Sequence, residues 1–100
     1  MWYNVCKNWR ARKGELYRIG SLIVNMRFRD DSQHHKPHVH AKCNDDEAVV
    51  GVDGELLAGT LPVKQMKILV GSLACHEEEV YAAWNLAVQG KPFEKIKVGI

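Results

Sequence analysis

No stretch of the chain approaches the roughly 18–20 consecutive apolar residues that a membrane-spanning helix needs, so no passage through a membrane is expected. The start, Met1-Trp2-Tyr3-Asn4-Val5-Cys6-Lys7, lacks the basic opening and apolar centre of a secretory leader. Cysteine is scarce: Cys6, Cys43 and Cys75 are odd in number, widely spaced and form no C-x-x-C pair. That pattern argues against a disulfide framework and for a reducing compartment. No G-x-x-x-x-G-K-S/T phosphate loop is present, and the zincin pattern H-E-x-x-H fails where Val80 follows His76-Glu77-Glu78-Glu79. Internal repeats, low-complexity tracts and linkers are missing too. The expectation is a cytoplasmic protein of prokaryotic type.

What remains suffices for one core. A chain of 100 residues, 46% hydrophobic and 26% charged, reads as a single globular domain that needs neither disulfide nor metal to fold. Its charge is unevenly spread. Residues 1–29 carry Lys7, Arg10, Arg12, Lys13, Arg18, Arg27 and Arg29 against Glu15 alone, whereas residues 30–100 carry seven lysines against eleven acids. Residues 1–14 read as a basic and aromatic extension, with Trp2, Tyr3 and Trp9 among the cations. Arg10, Arg12, Lys13 and Arg29 are candidate contacts for phosphate or for an acidic partner surface.

Strands come first and helices after. From Tyr17 to Arg29, Leu22, Val24, Met26 and Phe28 alternate with Asn25, Arg27 and Arg29, the period of a strand with one buried face. Pro37 favours extended backbone before it, so a second strand starts near His38 and ends at the turn Asn44-Asp45-Asp46. Ala48 to Val52 is a third strand, and Asp53-Gly54 turns it into a short fourth over Glu55 to Ala58. Thr60 is placed to cap a helix beginning at Leu61-Pro62, with Val63, Met66, Leu69, Val70 and Leu73 on one face. A second helical stretch runs from about His76 to Gln89, and Gly71-Ser72 either divides or bends this half. Gly90 and Pro92 end it. The predicted class is α+β: an antiparallel meander of three or four strands followed by one or two C-terminal helices packed on one face.

The segment His34-His35-Lys36-Pro37-His38-Val39-His40-Ala41 holds four of the five histidines. Imidazole titrates near neutral pH and ligates metals, so the cluster is a candidate for acid/base or metal chemistry. On a strand, His38 and His40 share a face, and Arg27 of the preceding strand falls near them. That trio suits phosphodiester chemistry, with one base, one acid and a cationic clamp. Alternatively His34, His38 and His40 supply three nitrogen ligands for zinc or another divalent metal. Cys43 and His76 are candidate fourth ligands, Cys43 the weaker because alternation sends it to the face opposite His38 and His40. A third reading keeps His38 and His40 as structural hydrogen-bonding groups. Trp84, at helical spacing from Val80, reads as core.

Pro37-His38-Val39-His40-Ala41, Gly59-Thr60-Leu61-Pro62, and His76-Glu77-Glu78-Glu79-Val80 ahead of Trp84 together resemble the small bacterial family called domain of unknown function 4160. The ending Gly90-Lys91-Pro92-Phe93-Glu94-Lys95-Ile96 resembles that family's close. Lys36 stands where a second proline is usual, Val80 where leucine is common, and the first 14 or so residues have no counterpart. The resemblance implies a component of a two-gene, toxin–antitoxin-like module, often encoded beside another small gene, but it implies no reaction. The expected function is therefore binding of a partner protein, without a cofactor. The alternatives are a small metal-independent ribonuclease using His38 and His40, and a metal-binding protein using the histidine cluster.

Overall fold

A computed structural model describes residues 13–27 and 36–98, with the side chain of Lys13 outside that description. The elements in chain order are β1 (Lys13–Ile19), β2 (Leu22–Arg27), β3 (His38–Cys43), β4 (Asp46–Gly51), β5 (Leu56–Gly59), α1 (Val63–Cys75) and α2 (Glu77–Val88). The strands form one antiparallel sheet in the order β1-β2-β3-β4-β5. The α+β meander with two following helices is as expected; the strand count is five rather than three or four.

The extra strand comes from Gly20-Ser21. Residues from Tyr17 onward do not run as one strand but fold back, with Ile19 opposite Leu22 across a two-residue turn. Gly20 has φ +58°, a conformation that only glycine adopts without cost. β1 also begins at Lys13, within the stretch expected to be an extension. Its alternation is broken by a bulge between Glu15 and Tyr17, which leaves Leu16 and Tyr17 both buried in succession. The carbonyl of Leu16 accepts the N–H of Ile96 at 2.8 Å, so the C-terminal tail ties onto the β1 edge.

One face of the sheet makes the core. Leu22, Val24 and Met26 of β2 meet Val39, Ala41 and Cys43 of β3 and Ala48 and Val50 of β4, all buried with Leu69, Leu73, Val80, Trp84 and Ala87 of the helices. The polar exception is a relay under α1. Ser72 Oγ donates to the Leu69 carbonyl at 2.8 Å, so the Tyr17 hydroxyl must donate to Ser72 Oγ at 2.5 Å. Burial pushes the Tyr17 phenol pKa up, partly offset by Ser72. In the unfolded chain the phenol ionises near its ordinary value of about 10, while the folded protein holds the proton. Stability is thus expected to fall as pH rises above that value, and Tyr17→Phe should flatten the alkaline limb of a Tm-versus-pH curve.

Two boundaries differ from expectation, and a third, left open at Gly71-Ser72, is settled. The β4–β5 connection spans residues 52–55, closed by the Gly54 N–H on the Gly51 carbonyl at 2.8 Å and the Gly51 N–H on the Glu55 carbonyl at 2.7 Å; only Gly54 takes positive φ there. Thr60 does not cap α1. Pro62 is the N-cap residue, with no side-chain cap, and Thr60 Oγ1 reaches only the Leu61 carbonyl. α1 runs unbroken through Gly71-Ser72 and ends at His76, which then serves as the N-cap position of α2. Glu77, Glu78 and Glu79 occupy the first turn of α2, where its dipole favours negative charge. At the other end the Gly90 N–H bonds Ala87 and the Lys91 N–H bonds Leu86, each at 2.9 Å, with Gly90 at φ +74°. This paired closure is the Schellman stop expected from Gly90.

Candidate functional site

The sheet face turned away from the core carries a polar row. The register places Asn25 of β2 opposite His40 of β3, His40 opposite Val49 of β4, and Val49 opposite Ala58 of β5. Lys42, two residues along β3, lies opposite Glu47. Arg27, Asn25, His40, Lys42 and Glu47 line one open cavity of about 190 Å³, floored by Val49 and Ala58. Arg27 was expected to fall near His40, and both line this cavity. Asn25 was placed only on the polar face, and Lys42 and Glu47 were not singled out, although period two from His40 puts Lys42 on the same face.

His38 sits differently. His38 is the first residue of β3 and is buried, whereas His40, two residues on, is half-buried. Its ring packs on Trp84, centroids 4.8 Å apart, and is 1% exposed. His38 Nδ1 lies 2.8 Å from the Lys36 carbonyl. A carbonyl only accepts, so Nδ1 carries a proton and the tautomer is fixed. The His40 ring meets His38 edge-on at 5.3 Å. Trp84, His38 and His40 therefore form a column of rings from the helix layer to the open face. The motif around Pro37 and the tryptophan of α2 are joined in space, which their separation in sequence conceals.

Other candidates separate. His34, Arg10, Arg12 and Arg29 lie outside the described residues, as does the side chain of Lys13. Among the described residues no group of three or more His, Cys, Asp or Glu is placed to hold a metal ion. Cys43 is buried in the core, 3.5 Å from Ser21 Oγ, on the face opposite His40. His76 Nδ1 pairs with Glu79 Oε1 at 2.9 Å across the first turn of α2. Lys36 binds Asp53 at 2.8 Å and also Glu55, clamping the approach to β3 onto the β4–β5 turn. Asp53 and Glu55 hold the lysine above its usual pKa, and Lys36 holds Asp53 below the usual carboxylate range.

A second surface feature lies between β5 and α1. Val63, expected in the core, is 72% exposed, and Leu56 of β5 is 49% exposed. With Leu61, Met66 and Val70 they line an apolar groove of about 570 Å³, bordered by Lys67. Of the apolar stripe of α1 only Leu69 and Leu73 are fully buried, and Val63, its first residue, is left in the open.

The chain has no match among curated proteins or solved structures. No helix among the described residues is long and apolar enough to cross a membrane. Residues 22–85 match the family described as Domain of unknown function (DUF4160), a span from the start of β2 into α2 that holds His38, His40, Gly59 and Trp84. The chain belongs to that family.

Proposed function

We propose that the protein is a binding module for a partner protein, half of a toxin–antitoxin-like pair, and that the partner docks on β5 and the groove beside α1. The observation that carries this reading is the exposure of Leu56 and Val63 next to an edge strand. β5 is last in the sheet order, so one side of it lacks a strand partner among the described residues. The opposite edge, β1, is engaged by the C-terminal tail through Leu16 and Ile96. The fitting occupant is an extended segment of the partner that adds a strand to β5 and seats alternate apolar side chains in the groove. Acidic residues flanking that segment would meet Lys64 and Lys67, neither of which is in an ion pair among the described residues. The ribonuclease reading has less support, since the buried His38 ring would have to leave Trp84 to touch a substrate.

The protein encoded by the neighbouring small gene, which the family resemblance suggests as partner, is the probe. Co-expression should give a complex that elutes as one species on gel filtration. Leu56→Asp with Val63→Asp should weaken it by roughly 30-fold or more, the loss expected when an apolar anchor of an interface is removed. Both side chains are exposed, so the free protein should keep its Tm. An unchanged complex in that variant, or no complex with the wild type, overturns the reading.

A further inference from the structure

We infer that the open face of the sheet holds single-stranded nucleic acid, with Arg27 and Lys42 taking phosphate and His40 and Asn25 taking a base. The site is distinct from the β5–α1 groove and independent of any partner bound there. Three observations carry the inference. Arg27 and Lys42 line the same cavity, yet among the described residues neither is in an ion pair; Lys42 faces Glu47 across the strands without closing one. By contrast Glu15, the acid opposite Asn25 on β1, is occupied by Arg18 at 2.7 Å and Lys95 at 3.8 Å. Its carboxyl lies below the usual range, first because of the Arg18 hydrogen bond. The positive groups beside the cavity are thus available while one of the nearby acids is neutralised.

The second observation is the division of the cavity. Its cationic members stand beside an apolar floor of Val49 and Ala58, with the half-buried His40 ring between them. A nucleotide has the same division, a charged phosphate joined to a flat base, and bases stack on aromatic side chains presented by sheet surfaces. Asn25 adds an amide that both donates and accepts, as a base edge requires. The third observation is size. At about 190 Å³ the cavity is smaller than the roughly 300–1,000 Å³ pockets that enclose whole small molecules. It suits one unit of a chain that continues along the face, not an enclosed free nucleotide.

Glu47 sets the sign of a control. It lines the cavity and repels phosphate, so Glu47→Gln should tighten binding whereas Arg27→Gln and Lys42→Gln should weaken it. Fluorescence anisotropy of the full chain with labelled oligouridine RNA, and with the matching oligothymidine DNA, reads all three. Each cation removed should cost roughly tenfold in affinity and flatten the log K against log salt slope by about 0.7. Binding of either oligonucleotide with these effects upholds the site, and a preference for RNA would add a contact to the 2′-hydroxyl. Three results overturn it: no binding by the wild type, binding unchanged in the Arg27→Gln/Lys42→Gln variant, or binding lost only in Arg10→Gln/Arg12→Gln. A polyglutamate peptide of matched charge that binds as tightly as RNA would also overturn it, assigning the face to an acidic protein. Thermal melts of each variant check that the fold is kept.

Discussion

Gly59→Ala is expected to lower stability by roughly 2–5 kcal/mol, the sum of a left-handed backbone penalty and an overpacking penalty. Gly59 closes β5 at φ +68°, and a Cβ there would lie 2.2 Å from the Glu47 carbonyl oxygen and 3.2 Å from Ala48 Cα. Both neighbours are backbone of β4, so no rotamer change relieves the contact. The same Glu47 carbonyl accepts the Thr60 N–H at 3.0 Å, which fixes the turn that delivers Leu61 to the core. Two other glycines calibrate the effect. Gly20 shares the positive φ but has nothing within 4 Å of its Cβ, so Gly20→Ala should show the backbone term alone, about 1–2 kcal/mol. Gly71 is helical with open space around it, and Gly71→Ala should stabilise by about 1 kcal/mol. Urea titrations of the three variants test the ranking. If Gly59→Ala proves no worse than Gly20→Ala, close approach to β4 does not explain that glycine.

The ranking gives physical content to a motif that sequence alone shows only as a pattern. In Gly59-Thr60-Leu61-Pro62, the glycine permits the close approach to β4, the leucine is buried, and the proline opens α1. The stretch Pro37-His38-Val39-His40-Ala41 is mixed in the same way. Val39 and Ala41 build the core, His38 braces Trp84, and of the two histidines only His40 lines the open cavity.

Much of the architecture was legible because it rests on local rules. β3 follows Pro37, the Asn44-Asp45 turn puts Asn44 at φ +57°, and Gly90 stops α2 as its conformational freedom predicts. β1 was missed for two local reasons. The bulge at Leu16 erases its period-two signature, and the two-residue turn at Gly20-Ser21 is short enough for apolar residues to continue almost unbroken across it. A sign was present: the buried positions change phase, from Tyr17 before the turn to Leu22, Val24 and Met26 after it. Gly-Ser at such a slip is itself a hairpin signal. Val63 failed for a non-local reason. Helical periodicity says which residues share a stripe, not how much of that stripe the rest of the fold covers.

The site divides along the same line. Alternation placed His40 and Arg27 on one face and would have placed Lys42 there had it been followed to the end of β3. It also assigned His38 to that face, beside His40, whose ring it meets edge-on at 5.3 Å. His38 is nevertheless buried, and its environment is set by Trp84 of α2. No period within one strand carries that information.

Trp84→Ala is expected to cost about 3–5 kcal/mol, the range for emptying a large aromatic site in a packed core. That is a large part of the roughly 5–15 kcal/mol by which domains of this size are stable, so the variant should be at best marginally folded at 37 °C. Trp84 is 6% exposed and packs with the core on one side and the His38 ring on the other. His38→Ala should cost about 2–4 kcal/mol, from the cavity and from the lost Nδ1–H bond to the Lys36 carbonyl. His38→Asn keeps a donor near the Nδ1 position while removing the ring, and should recover about 1 kcal/mol of that loss. Because the rings touch, the losses should not add: a double-mutant cycle between Trp84→Phe and His38→Asn should show coupling of about 0.5–1.5 kcal/mol. The milder pair is chosen so that every corner of the cycle stays folded for denaturant titration. Strict additivity would mean that the ring contact contributes nothing to stability. In that event the burial of His38 would need another cause, and the case for its acting on His40, 5.3 Å away, would become stronger than the case for its bracing the fold.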